Sequence, residues 1–194
     1  MSEEKGKKRE RRAGIDLGLT EDEKQRLRQI ATTVIEHRIL DKPVPEFEIN
    51  APRLNENRGA FVTLHKKGQL RGCIGHIRGD QPLYQTVAEM ADEAAFNDPR
   101  FSPVSKGELG DLDIEISALT PLKRIEEVEE IEVGKHGIYI EKGFFRGLLL
   151  PQVATEYGWD RATFLEQTCY KAGLHKDAWK EKDTKIYIFS ADIF

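Results

Sequence analysis

Cysteine, tryptophan and methionine occur only twice each in the 194 residues, and the chain has no long hydrophobic run. The longest aliphatic stretch, Leu148-Leu149-Leu150, stops at Pro151, far short of the about 20 apolar residues that cross a bilayer, so no membrane span is expected. Met1 to Gly14 also lacks the apolar segment of a secretory signal. Two cysteines, Cys73 and Cys169, are too few for a disulfide framework and lack the paired spacing of a zinc knuckle, so a reducing cytoplasm is the expected compartment. Positive charge is in deficit as well: 30 Lys and Arg face 34 Asp and Glu, a formal net charge of -4. That balance argues against nucleic acid as a partner, because neutralising phosphates needs clustered cations.

What the chain does contain is enough for a folded core. Apolar residues make up 39%, and the 16 glycines bring the total near that of ordinary globular proteins. The length suits one domain of two intimately packed lobes, expected over residues 15–194. Before it, Lys5, Lys7, Lys8, Arg9, Arg11 and Arg12 alternate with Glu3, Glu4 and Glu10, which reads as a solvated, disordered charged arm over residues 1–14.

Thr20-Glu21-Asp22-Glu23 has the form of a capping box, and Leu27, Ile30, Ala31, Val34 and Ile35 recur behind it at helical spacing. Pro43, Pro45 and Pro52 make the following segment an extended connection. From Gly59 the residues become β-rich: Ala60 to Leu64 and Leu70 to Ile77 flank a connection containing Gly68, which predicts an antiparallel hairpin. Asp80 is placed to cap a helix with Pro82 in its first turn and Leu83, Val87, Met90, Ala91 and Ala94 on its apolar face. Alternation of Ile114, Ile116 and Ala118 with Asp113, Glu115 and Ser117 predicts a half-buried strand. His136 to Leu148 can then be laid on Phe61 to Cys73, matching Gly143 to Gly68 and Arg146-Gly147 to Arg71-Gly72. A helix capped by Asp160 and closed by Gly173 follows, with Phe164, Leu165, Thr168, Cys169 and Ala172 on one face, and Lys185 to Ser190 supplies a last strand. Hairpins followed by helices, twice, predict an α+β fold with a largely antiparallel sheet.

The segment richest in chemistry is Leu70-Arg71-Gly72-Cys73-Ile74-Gly75-His76. On a strand Arg71 and Cys73 share a face, about 7 Å apart along the backbone, and a guanidinium beside a thiol favours the thiolate. Gly75 on that face and Gly72 on the other leave room for a ligand or another backbone. The competing reading makes Cys73 a small buried hydrophobe. Zinc on Cys73 and His76 is disfavoured, since an odd separation sends the side chains to opposite faces and no further ligand is near. Arg100 in Asp98-Pro99-Arg100-Phe101 is either a clamp on a carboxylate and carbonyls or a contact for an anionic substrate. Glu115 is a solvated strand carboxylate or a base, and His136 a turn residue or a substrate contact.

With these residues in view the chain resembles the AMMECR-type domain family, whose bacterial and archaeal members are called AmmeMemoRadiSam system protein A. The resemblance rests on Ala60-Phe61-Val62-Thr63-Leu64, on Leu70 to Gly75, and on Asp98-Pro99-Arg100-Phe101. It continues through Glu115-Ile116-Ser117, Val133 to Gly137, Leu150-Pro151-Gln152-Val153-Ala154 and Glu156 to Asp160. It implies an internally duplicated, barrel-like sheet flanked by helices, with Arg71-Gly72-Cys73-Ile74-Gly75 as the suspected site. It also implies companions, a Memo-type protein and a radical S-adenosylmethionine enzyme, without defining a reaction. The residues expected to act are therefore Cys73, Arg71 and Glu115 in catalysis and Gly72, Gly75, Arg100 and His136 at the substrate, with no metal or cofactor required. The other class of function weighed is a non-catalytic adaptor module in which Cys73 only fills space.

Overall fold

Folding of this chain starts from local signals that hold. The computed structural model describes residues 13–194, so residues 1–12 of the expected arm lie outside the described residues. Gly14 is already docked, its N–H donating to the Gly134 carbonyl and that of Ile15 to Ala191. Helix α1 spans Glu21–Ile39 behind the expected capping box: Glu23 N–H donates to Thr20 Oγ1 at 3.2 Å, and Thr20 N–H to Glu23 Oε2 at 2.9 Å. Its Leu27, Ile30, Ala31, Val34 and Ile35 are all buried.

The first hairpin pairs β1 (Ala60–Lys66) with β2 (Gln69–His76). The turn is tighter than the sequence suggested, because Lys67 and Gly68 both take positive φ, 52° and 78°, the geometry that joins two twisted strands with two residues. Helix α2 covers Leu83–Phe96. Asp80 does not cap it. Pro82 occupies that position, the Leu83 N–H donates to the Glu56 carbonyl at 2.9 Å, and Asp80 Oδ2 lies 3.1 Å from His76 Nε2. The segment preceding β1 lies against the start of α2 and supplies its acceptor from main chain, which makes a side-chain cap redundant.

Strand β3 (Leu112–Leu119) pairs with β1, short β4 (Lys123–Ile125) follows, and β5 (His136–Lys142) and β6 (Phe145–Leu149) form the second hairpin. Helices α3 (Pro151–Glu156) and α4 (Arg161–Lys171) come next, then β7 (Lys185–Ile193). The order is β2-β1-β3-β7-β5-β6, every pairing is antiparallel, and β4 also pairs β7. The sheet curls into a half-barrel flanked by helices. Its join is β7, which meets β3 through Ala191 to Ile193 and both β4 and β5 through Ile186 to Ile188.

The duplication has a physical basis in two glycines. A Cβ on Gly72 would overlap the Ala94 carbonyl at the end of α2, and a Cβ on Gly147 would overlap the backbone of Ala172 at the end of α4. Each hairpin thus lets a helix C-terminus lie directly on its second strand. One core joins α1 and α2 to Val62, Leu64 and Ile116; another joins Phe164, Leu165 and Cys169 of α4 to Ile138, Ile140 and Ile188. A third, smaller cluster of Leu119, Leu150, Phe189 and Ala191, with Phe61 and Tyr139 against it, occupies the opposite face. No helix among the described residues is long and apolar enough to cross a membrane.

Candidate functional site

Because Val62, Leu64 and Ile116 go to the helical core, their neighbours must emerge on the other face of the sheet. In register, Thr63 stands opposite Cys73 on one side and Glu115 on the other. Cys73, Thr63 and Glu115 therefore form one rung across β2, β1 and β3. Thr63 Oγ1 and Cys73 Sγ are 3.2 Å apart. The next rung holds Ser117 opposite Phe61, and the rung on the far side holds His65 opposite Asp113. Helix α3 reaches this face: Gln152 Nε2 donates to Glu115 Oε1 at 3.4 Å and to Ser117 Oγ at 3.3 Å. One turn further, the Glu156 carboxyl is pushed up by desolvation first and then by the charge of Glu115, while His65 acts in the opposite sense.

Cys73 is held from outside the sheet. β2 is an edge strand, and an edge residue in a non-hydrogen-bonded pair directs its N–H and C=O outward while its side chain sits close to its cross-strand partner. Both outward groups are taken. The Cys73 N–H donates to Asp98 Oδ2 at 2.9 Å, and Arg100 Nη2 donates to the Cys73 carbonyl at 3.1 Å. Arg100 also grips Asp98 through Nε to Oδ1 (2.9 Å) and Nη2 to Oδ2 (2.7 Å). That pairing holds the buried Asp98 carboxyl well below the usual carboxylate range. Of the two roles open to Arg100, the clamp is the one built here.

The thiol itself is pushed up from its ordinary value. Burial is the largest cause; the Thr63 hydrogen bond and Arg100 oppose it, and the carboxylates Asp98 and Glu115 add to it. The expectation that Arg71 lowers the thiol pKa is therefore corrected. The register slips between Leu64 and His65, leaving Arg71 without a partner across the ladder. A bulged residue is re-aimed, and Arg71 reaches Glu108 instead, Nε to Oε1 at 2.9 Å and Nη2 to Oε2 at 3.1 Å. Lys66 and Ser105 also bind Glu108, whose carboxyl is held far down by these partners.

The glycines are filled by protein. Gly72 meets α2 as described, and the Phe61 ring lies where a Gly75 side chain would be. His136 starts β5, away from the Cys73 rung, opposite Ser190. Its Nδ1 accepts the Glu132 N–H at 3.1 Å, and burial, with Lys135 next, pushes its pKa down. Of the residues expected from sequence, Cys73 and Glu115 share one rung, Arg100 reaches it through main chain, and Arg71, Gly72, Gly75 and His136 serve other contacts.

Sequence reasoning left out Thr63, Asp98, Gln152, Glu156 and His65 as site residues. The signal for Thr63 was its odd position in a strand whose even positions are apolar; Gln152 and Glu156 carried none, since the short helix that presents them was not anticipated. Among the described residues no group of three or more His, Cys, Asp or Glu could hold a metal ion. Two surface depressions of about 210 and 180 Å³ lie elsewhere, one between α1 and the start of β3 and one beside the start of α1.

Comparison with known proteins adds the family. The AMMECR1 family model matches residues 28–194. The chain belongs to the AMMECR1 family. A protein of Methanothermobacter thermautotrophicus is 45% identical over 184 residues, covering 91% of this chain and 95% of that one. A protein of Aquifex aeolicus is 48% identical over 149 residues, 73% of this chain and 76% of the other. The crystal structure of the uncharacterized protein PH0010 from Pyrococcus horikoshii is similar with a TM-score of 0.81 at 40% identity, covering 86% of this chain and 88% of that one.

Proposed function

We propose that the Cys73–Thr63–Glu115 rung of this AMMECR1-family domain is a catalytic acid–base thiol site. The observation that carries the reading is the rung itself: a thiol, a hydroxyl and a carboxylate on adjacent strands, with the thiol's main chain fixed on both sides by Asp98 and Arg100. Such fixation is costly to build around a residue that only fills space, whereas a site residue needs its position held closely. The thiol rests protonated, since burial and two carboxylates oppose its charge. Glu115, whose Cβ stands about 5 Å from that of Thr63 as directly opposed residues do, takes the proton through the Thr63 hydroxyl when a substrate approaches. Cys73 then acts as the nucleophile.

The companions implied by the family, a Memo-type protein and a radical S-adenosylmethionine enzyme, belong to this reading as suppliers of substrate or receivers of product. The cytoplasm is its compartment, supported by two unpaired cysteines. An anionic substrate finds less support, because Arg71 and Arg100 are each committed to a carboxylate.

The test is alkylation of Cys73 in the folded protein by iodoacetamide across pH, read by mass on the peptide that carries it. The expected midpoint lies above the ordinary thiol value and falls in Glu115→Gln. Reaction only on unfolding would make Cys73 a packing residue. The adaptor reading then gains from Phe144, which is 98% exposed at the tip of the second hairpin beside half-exposed Phe145. On that reading Phe144→Ser abolishes binding to the companions, and Cys73→Ser leaves it intact.

A further inference from the structure

We infer that the outer edge of β6 takes an extended, acidic peptide segment of a partner protein by strand addition, with a carboxylate on Arg146 and main chain on Leu148. The interaction is separate from the thiol site and does not depend on it. It follows from comparing the two edges of the duplicated sheet, β2 and β6. The halves correspond at Gly72 and Gly147, each of which abuts a helix C-terminus, so Arg71 corresponds to Arg146 and Cys73 to Leu148.

At the first edge the chain supplies its own occupant. The segment after α2 brings Asp98 to the Cys73 N–H and Arg100 to the Cys73 carbonyl, and Glu108 accepts two hydrogen bonds from Arg71, at 2.9 and 3.1 Å. The irregular register at Arg71 breaks the ladder as well. Arginine and main chain are thus both matched from within, and the edge is closed to another strand.

At the second edge none of these partners is found among the described residues. β6 pairs with β5 in unbroken register, and the two-residue turn at Gly143, whose φ is 57°, makes Lys142 and Phe145 the hydrogen-bonded closing pair. Alternation then turns the N–H and C=O of Arg146 and Leu148 outward, where no protein group meets them. The Arg146 side chain is 55% exposed, and Glu141, its ion-pair partner, stands 3.6 Å away, beyond hydrogen-bond distance, and is shared with Lys185. Lys171, beside the Ala172 that rests on Gly147, adds a second exposed positive charge. Around the edge lie the exposed rings of Phe144, Phe145 and Tyr170. Sheet edges are commonly blunted by proline, a bulge or a covering segment; β6 has no proline or bulge and is flanked by aromatic surface instead.

The occupant of the first edge indicates the chemistry that the second lacks, namely a carboxylate for the arginine together with a donor and an acceptor for the main chain. An antiparallel strand on β6 supplies all three. Its residue opposite Arg146 is acidic and accepts from the guanidinium, and its residue opposite Leu148, two positions earlier, is apolar. A second copy of β6 does not fit, because Phe145-Arg146-Gly147-Leu148-Leu149 contains no carboxylate.

The experiment measures binding of the full chain to the labelled peptide Thr-Thr-Val-Thr-Glu-Val-Thr by fluorescence anisotropy, beside a counterpart with Lys in place of Glu. Two further peptides carry a backbone N-methyl group, one on the Glu, whose N–H would donate to the Arg146 carbonyl, and one on the Thr before it, whose N–H would point away from β6. The Glu peptide is expected to bind about tenfold tighter than the Lys peptide, and the preference to vanish in Arg146→Ala. Methylation of the Glu should weaken binding about tenfold, and methylation of the Thr should leave it unchanged. Equal binding of the Glu and Lys peptides, or no binding of either, overturns the acidic partner. Equal effects of the two methyl groups overturn strand addition. A dimer of the chain in sedimentation that Arg146→Ala dissociates would overturn the inference in favour of a second copy.

Discussion

Asp98 accepts the main-chain N–H of Cys73 across the sheet edge at 2.9 Å, from a helix-terminal loop 25 residues further along the chain. The contact fixes a thiol by its amide and leaves the sulfur free to meet Thr63. Asp98→Asn removes the charge that Arg100 neutralises while keeping the shape. Loss of about 2–3 kcal/mol is expected, measured by urea denaturation, because Arg100 keeps its charge beside a neutral partner and a charged hydrogen bond becomes a neutral one.

The same carboxyl sets an acid limit. Its folded pKa lies below its unfolded value, as does that of Glu108, so both contribute stability that is fully present above about pH 4 and is lost as pH falls further. Thermal melts from pH 6 down to pH 2 should show a steep decline below pH 4 that is shallower in Asp98→Asn.

Arg71 holds Glu108 and does not tune the thiol. Arg71→Ala should cost about 2–4 kcal/mol, since it strips the largely buried Glu108 of its bidentate partner. The pH midpoint of Cys73 alkylation should stay where it is in Arg71→Ala, and a midpoint that rises there would reinstate Arg71 as an electrostatic partner.

Gly72→Ala and Gly147→Ala should each destabilise by about 2–3 kcal/mol, as backbone rather than a flexible side chain blocks the added methyl. Gly143→Ala, with positive φ but open space, should cost about 1 kcal/mol. Chemical denaturation of the three variants separates close approach from conformational strain.

His136 accepts a hydrogen bond at Nδ1, so its neutral form is the one the fold uses. Its folded pKa lies below the ordinary histidine value, so stability is present above about pH 6.5 and part is lost as pH falls. NMR titration of the ring should give a midpoint under that value, and one above it would contradict the hydrogen bond.

Local signals were readable in the sequence because they depend on residues a few positions apart. The capping box at Thr20, the five apolar positions of α1, the hairpin turn at Gly68 and the cap at Asp160 all appear as expected. The site was half legible. Alternation put Glu115 on the exposed face of β3, and spacing put Cys73 on one face of β2, but only register brings them onto one rung through Thr63. Arg71 was misread because a bulge breaks the period on which the spacing argument depends. The cap at Asp80 failed for a related reason: a carbonyl from Glu56, 24 residues earlier, satisfies the helix start.

The position of β7 in the chain has a consequence for synthesis. β3, β4 and β5 all precede it, yet each finds a partner along it. While residues 185–193 are still inside the ribosome, the first hairpin with β3 and the second hairpin are two sheets with open inner edges, unable to join. For that interval the nascent chain presents pairing edges that could capture a neighbour, and a chaperone that shields them would be needed most just before β7 emerges.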